Sequence, residues 1–140
     1  MGSLSITMSS FILKVVLNSA AWLAVTPAGR TLLSELLKMI SNLLPNQRLL
    51  ETDTLLAFQH PRPSYPIHIL LVPKKPLKDL MDLSDQDQAF VADLFFGVQE
   101  LIRRFALDKA GYRLITNGGS FQDFPYLHFH LIAESAPGLE

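Results

Sequence analysis

The first third of the chain repeats apolar residues at helical spacing, and the remainder alternates short extended runs with one long amphipathic stripe. Phe11, Val15, Asn18 and Trp22 recur three to four residues apart, with Trp22 read as a packing anchor. Thr26-Pro27 reads as an N-cap followed by proline at the first helical position. The helix it opens carries Leu32, Leu33, Leu36, Leu37, Ile40, Leu43 and Leu44 against Ser34, Glu35, Lys38, Ser41 and Asn42. That stripe predicts burial against a sheet or a partner chain. Pro45-Asn46 ends it. Residues 48–50 and 54–58 then flank a Glu51-Thr52-Asp53 turn, which predicts a hairpin. Pro61, Pro63 and Pro66 make a rigid loop, and residues 67–72 form an almost wholly apolar run that predicts a central strand. Ser84 is placed to cap a helix with Asp85 and Asp87 in its first turn. Its apolar stripe is Phe90, Val91, Leu94, Phe95, Val98, Leu101, Ile102 and Phe105. Strands at 112–116 and 127–133 follow. This order predicts an α+β domain: an antiparallel sheet, one long packing helix and an N-terminal helical extension. The expected boundaries are an extension over 1–45, the sheet domain over 46–136 and a tail over 137–140.

Composition narrows the chemistry. The 140 residues fit one domain, and an apolar share of 49% supports a real core. Twelve basic residues face thirteen acidic ones, for a net charge of −1. That balance argues against a broad nucleic-acid-binding surface, so no polymer partner is expected, while a local phosphate site stays open. The lack of cysteine excludes disulfides, thiolate metal sites and cysteine nucleophiles, and fits a cytoplasmic location. Residues 11–25 are apolar, but Lys14 and Asn18 interrupt them. The run is shorter than the roughly 20 residues a spanning helix needs. Residues 1–10 carry none of the positive charge a signal peptide has. Contact of the N-terminal helices with a membrane surface is a further option.

His128 and His130 sit two residues apart on the last extended run. At that spacing side chains share a sheet face, about 6.6 Å apart. Tyr126 belongs to the same face, while Leu127, Phe129 and Leu131 point to the other and can pack on a helix. Imidazole is a competent nucleophile or base near neutral pH because its ordinary pKa is about 6.5. Alone, a His-x-His pair also fits a core or surface pair. With His60 and His68 it fits a zinc site.

Taken together, these segments resemble the histidine-triad family. Its pattern is His-φ-His-φ-His-φ-φ, with φ apolar, and this chain reads Tyr126-Leu127-His128-Phe129-His130-Leu131-Ile132, matching six of seven positions. Gly111-Tyr112-Arg113-Leu114-Ile115-Thr116-Asn117-Gly118 is similar to the family's strand ending in asparagine. Leu56-Ala57-Phe58 leads through the proline loop to Ile67-His68-Ile69-Leu70-Leu71-Val72-Pro73-Lys74, a family-like strand with histidine first and Pro-Lys last. The resemblance covers roughly residues 48–134. It implies hydrolysis or transfer at a nucleotide α-phosphate through a covalent nucleotidyl-histidine on His128, with its tautomer fixed by a backbone carbonyl of the motif strand. His130 would contact phosphate oxygen and His68 would complete the cluster. Asn117, Gly118 and Gly119 would serve the strand or the phosphate, and Phe58 would either wall a nucleoside pocket or pack. No metal or other cofactor is implied. A nucleotide or nucleotide conjugate is the expected substrate, and a homodimer with a continuous sheet the expected assembly.

Three departures stand out. Tyr126 replaces the first histidine and is expected to act beside His128. Gln122-Asp123 falls where one branch of the family has glutamine and a small hydroxyl residue near the leaving group. His60, eight residues before His68, replaces an acid that binds ribose hydroxyls in that branch. Lys74 and Lys75 are expected to solvate a strand end, and Arg103 and Arg104 to sit at a helix end, where the dipole favours cations. Arg62 lies near the expected pocket. Three rival readings stay open: a non-catalytic nucleotide-binding homodimer, a His-ligated zinc protein, and a membrane-surface protein.

Overall fold

The computed structural model describes residues 48–137. The expected N-terminal helices, the leucine stripe, Trp22 and the tail beyond residue 137 lie outside the described residues. Five strands form one antiparallel sheet: β1 (Arg48–Glu51), β2 (Leu55–Gln59), β3 (Ile67–Pro73), β4 (Arg113–Ile115) and β5 (Phe129–Ala133), in the order β1-β2-β3-β5-β4. The main helix α1 (Gln88–Phe105) and the single turn α2 (Leu107–Ala110) lie between β3 and β4 in sequence. The α+β reading and the antiparallel sheet with one long helix therefore hold.

Alternation sorts the sheet into two faces. Leu55, Ala57, Ile67, Ile69, Leu71, Leu127, Phe129, Leu131 and Ala133 form one core with Phe90, Leu94, Val98, Leu101 and Phe105 of α1. The histidine-bearing strand thus has the apolar back its sequence predicts. Leu56, Phe58, Leu70 and Val72 belong to the opposite face and are also buried.

Ser84 caps a short 3-10 turn over Asp85–Asp87 rather than the long helix itself, and α1 continues from that turn at Gln88 with no side-chain cap of its own. The Ser84 hydroxyl accepts from the Gln86 N–H, and the Ser84 N–H donates to the Asp87 carboxylate at 2.9 Å, a capping box. Gly97 allows close approach to the hairpin, since a Cβ there would come within 2.7 Å of Leu50 Cδ2. The Thr52 and Thr54 hydroxyls donate to Asp93 of α1 at 2.7 and 2.6 Å, pinning the β1–β2 turn onto the helix. Two expectations are corrected. Lys74 and Lys75 do more than solvate a strand end: Lys74 is buried and pairs with Glu51 at 2.7 Å, and Lys75 pairs with buried Asp87 at 2.9 Å. That ion pair, with its hydrogen bond, holds Asp87 below the usual carboxylate range. Val91 and Phe95 of the predicted core stripe, with Phe96, are exposed instead. Their positions on the helix turn them past the edge of the contact with the sheet. Among the described residues no helix is long and apolar enough to cross a membrane.

Candidate active site

Strands β3 and β5 are neighbours inside the sheet, and the face away from α1 carries their imidazoles. The register pairs His130 with Leu70 and His68 with Ile132, so the two histidines are diagonal neighbours. Their rings meet with His68 Nε2 3.0 Å from His130 Nδ1. His128 sits one pleat further along, its ring centre 5.0 Å from that of His130. His60 follows β2 directly. Its backbone N–H donates to the His68 carbonyl at 2.8 Å, and its ring stacks on His68 at 4.2 Å. Four imidazoles therefore run in a row from His128 through His130 and His68 to His60.

Backbone partners assign the protons of this row. The Ser64 N–H donates to His68 Nδ1 at 3.0 Å, so neutral His68 carries its hydrogen on Nε2. That hydrogen points at His130 Nδ1, which must accept, leaving the His130 hydrogen on its own Nε2. The Arg62 N–H donates to His60 Nδ1 at 3.0 Å, with the same consequence for His60. His128 is the opposite case. Its Nδ1 lies 2.6 Å from the Tyr126 carbonyl oxygen, which can only accept. Neutral His128 thus donates from Nδ1 and keeps a lone pair on Nε2.

Burial favours the neutral form of the rest of the row. His130 is pushed down to about 4 by desolvation, then by the neighbouring His128, His68 and His60. His68 is lowered by burial, and His60 by burial and then by His68. Among the described residues, no carboxylate is among the groups acting on these three rings. One nitrogen each of His60, His68 and His130 lies within 4.8 Å of the others, so by distance alone these three rings could hold a metal.

Backbone contacts brace the segment that carries His128. The Thr116 hydroxyl donates to the His128 carbonyl at 2.9 Å, and the Leu127 N–H donates to the Leu77 carbonyl at 2.7 Å. Phe124 meets His128 edge-on at 6.2 Å, and Tyr65 meets His68 edge-on at 5.8 Å. A cleft of about 270 Å³ opens beyond His68, lined by Tyr65, Tyr112, Arg113, Ile132 and Glu134 among others.

The structure brings together His60, His68, His128 and His130 as one cluster, with Phe58 buried on their side of β2. Tyr126 is a correction. It shares the sheet face by alternation, but its hydroxyl is buried and donates to the Pro73 carbonyl at 2.8 Å, with the Lys75 carbonyl at 3.3 Å. The phenol reaches into the turn after β3, so its hydroxyl braces that turn, and its backbone carbonyl serves His128. Gln122 is another correction, because its amide is engaged by the Lys78 carbonyl at 2.7 Å and latches the β4–β5 loop. Asp123, Gly118 and Gly119 are exposed in that loop, and Asn117 is half-buried just after Thr116. Sequence reasoning missed Thr116, Phe124, Ser64 and Tyr65. Thr116 had a signal, since it closes the strand before Asn117, and Phe124 shares the alternation of Tyr126 and His128. The Ser64 contribution is a backbone N–H, which no side-chain pattern marks.

Fold and site together define a class: an antiparallel sheet whose inner strands present a histidine cluster with one free ring lone pair. The family model of the HIT domain matches residues 42–136, and the chain belongs to the HIT, or histidine-triad, family. A HIT-like protein of Azospirillum brasilense, described as uncharacterized, is 38% identical over 93 residues, spanning 64% of this chain and 76% of that protein. A HIT family hydrolase from Legionella pneumophila superposes with a TM-score of 0.59 at 30% identity, covering 66% of this chain and 87% of that one. A histidine triad nucleotide-binding protein from Candida albicans does so with a TM-score of 0.60 at 26% identity, covering 74% and 76%.

Proposed function

We propose that this chain is a hydrolase or nucleotidyl transferase acting at a nucleotide α-phosphate through a covalent intermediate on His128. The observation that carries the reading is the 2.6 Å contact of His128 Nδ1 with the Tyr126 carbonyl. It fixes the ring so that the Nε2 lone pair is the nucleophile. That pair forms the N–P bond while the bond from phosphorus to the leaving group breaks. The leaving group departs with its electrons and takes a proton from solvent. Water then attacks phosphorus, loses a proton, and the N–P electrons return to the imidazole. His130 donates its Nε2–H to a phosphoryl oxygen and grips it harder as charge builds in the transition state. The hydrolase and nucleotide-binding descriptions of the two structural neighbours run the same way. The same reading takes a nucleotide conjugate as substrate and a second copy of this chain as partner. Among the described residues β4 is an edge strand with one side unpaired in the sheet, and Phe95 and Phe96 are exposed on α1.

The test is a panel of nucleoside phosphoramidates, dinucleoside polyphosphates and nucleotide sugars, with mass spectrometry for an adduct on His128. Turnover should fall by about three orders of magnitude or more in His128→Ala while nucleoside monophosphate binding persists. Equal, slow hydrolysis by wild type and His128→Ala across the panel refutes the reading.

A further inference from the structure

The peptide unit between Tyr126 and Leu127 has two polar ends. Its carbonyl oxygen takes the His128 Nδ1–H at 2.6 Å. A trans peptide is planar, so its N–H points the opposite way and the two ends turn together. That N–H, on Leu127, donates to the Leu77 carbonyl at 2.7 Å. The peptide unit that follows Leu77 repeats the pattern: its N–H, on Lys78, donates to the Asp82 carboxylate at 2.8 Å. Three hydrogen bonds therefore run in one direction, from the imidazole through two peptide units to a carboxylate.

Each stage of this chain is held. Tyr126, Leu127 and Leu77 are buried, so its middle lies out of water, where hydrogen bonds in series polarise one another. The Tyr126 N–H donates to the Phe124 carbonyl at 2.8 Å across Pro125, a tight turn that suits the fixed φ of proline. The Gln122 amide donates to the Lys78 carbonyl at 2.7 Å and holds that residue from another side. Asp82 ends the 3-10 turn Leu80–Asp82. Its N–H donates to the Asp79 carbonyl at 3.1 Å, and the Asp79 carboxylate accepts from the Met81 N–H at 2.8 Å. The turn folds the Asp82 side chain back onto the Lys78 N–H four residues earlier. Asp82 is exposed, so solvent screens its charge and its influence on the ring is modest.

We propose that Asp82 is a positioning residue for His128: its carboxylate anchors the far end of the chain, fixes the plane of the Tyr126 carbonyl and supports the positive charge the ring acquires. The proposal rests on the reading of His128 as nucleophile. When the Nε2 lone pair forms the N–P bond and the leaving group departs with its electrons, the ring becomes cationic. Its Nδ1–H is then a stronger donor to the Tyr126 carbonyl. No proton moves along the chain. Each peptide unit turns its oxygen toward the ring and its N–H toward the carboxylate, the order that favours positive charge at one end and negative at the other. When water displaces the phosphorus, the N–P electrons return to Nε2 and the ring is neutral again. An amide at position 82 keeps the last hydrogen bond and loses the charge, and an alanine loses both.

Asp82→Ala and Asp82→Asn in the full chain, set beside Asp79→Asn, separate this role from a general effect of the loop. Asp79 has the same charge and also accepts a backbone N–H, but that of Met81, which is not part of the chain to His128. With a nucleoside phosphoramidate as substrate, kcat should fall about three- to tenfold in Asp82→Ala and about two- to fivefold in Asp82→Asn, with KM little changed. In Asp79→Asn it should stay at the wild-type value. Proton NMR of the ligand-free protein reads the chain directly. The His128 Nδ1–H resonance, assigned by its loss in His128→Gln, should move upfield in both Asp82 variants and hold its position in Asp79→Asn. Thermal unfolding shows that each variant is folded. Failure of wild type to form an adduct sinks the catalytic reading, and the resonance then still judges the chain. An unmoved resonance in Asp82→Ala, or equal losses of kcat in Asp82→Asn and Asp79→Asn, overturns the proposal.

Discussion

Removing the Tyr126 hydroxyl separates bracing from chemistry at the first position of the segment that resembles the family's motif. The hydroxyl is buried and donates to the Pro73 carbonyl at 2.8 Å, not to a ring of the imidazole row. Burial raises the phenol far above its ordinary range, so it stays protonated and can serve only as a donor. Tyr126→Phe keeps the ring and leaves the carbonyls of Pro73 and Lys75 short of a donor. Losing a buried hydrogen bond and stranding its acceptor costs about 1–3 kcal/mol. For a domain of this size that is a fall in Tm of about 5–15 °C. The Tyr126 backbone carbonyl that orients His128 is untouched, so kcat should stay within about threefold. Tyr126→His restores the third motif histidine in sequence but exchanges a long phenol for a shorter ring. The imidazole falls short of Pro73 and leaves a polar group in an apolar site. It should destabilise at least as much as phenylalanine and should not raise turnover. Denaturant unfolding and single-turnover adduct formation read the two effects separately. A loss of turnover beyond a hundredfold in Tyr126→Phe, at unchanged Tm, would show that the hydroxyl takes part in the reaction and that this reasoning is wrong.

Two further outcomes follow from the same geometry. Thr116→Val removes the hydroxyl that donates to the His128 carbonyl at 2.9 Å while keeping the side chain's shape. It should lower kcat about three- to tenfold with KM little changed and stability down by about 1 kcal/mol; an unchanged kcat would count Thr116 as packing only. The second outcome concerns acid. His130 is lowered from its ordinary 6.5 to about 4, so on acidification the unfolded chain takes up this proton first. The stability from neutral His130 is complete above about pH 6.5 and is lost as pH falls toward 4. Full burial would make this about 3 kcal/mol, and the ring's partial exposure reduces it to about 1–2 kcal/mol. Urea unfolding between pH 7 and 4 should show wild type losing that much more stability than His130→Gln; parallel curves would refute the assignment.

What the sequence disclosed was what local periodicity encodes. Alternation at Leu127, Phe129 and Leu131 put the apolar back of β5 on the helix, and the same alternation grouped His128 with His130. Ser84 with Asp87 marked the short turn that leads into the long helix, and the Glu51-Thr52-Asp53 turn marked the hairpin. Contacts closing between distant segments were not legible. The Tyr126 hydroxyl reaches Pro73 across 53 residues and the Gln122 amide reaches Lys78 across 44. In both cases the acceptor is a backbone carbonyl, which has no sequence signature. Lys74 and Lys75 looked like solvated charges because their partners, Glu51 and Asp87, come from the hairpin and the helix start. Val91 and Phe95 looked like core because a stripe drawn at helical spacing is wider than the contact one sheet face can cover.

The four histidines show the same limit at the level of chemistry. As residue types they are identical; His68 and His130 lie on strands with their rings on one face, and His128 and His60 flank strand ends beside them. Their roles diverge because of the atom each Nδ1 meets. His60 and His68 meet backbone N–H groups from the proline loop and become Nε2–H donors. His130 meets the proton of His68 and becomes a donor in turn. His128 alone meets a carbonyl, because the chain turns at Tyr126 just before entering β5 and brings that oxygen back under the ring. A sequence motif can say that a histidine lies at the centre of the pattern. The path of the backbone on either side of it decides which nitrogen holds the proton, and therefore which ring keeps the lone pair that the proposed reaction needs.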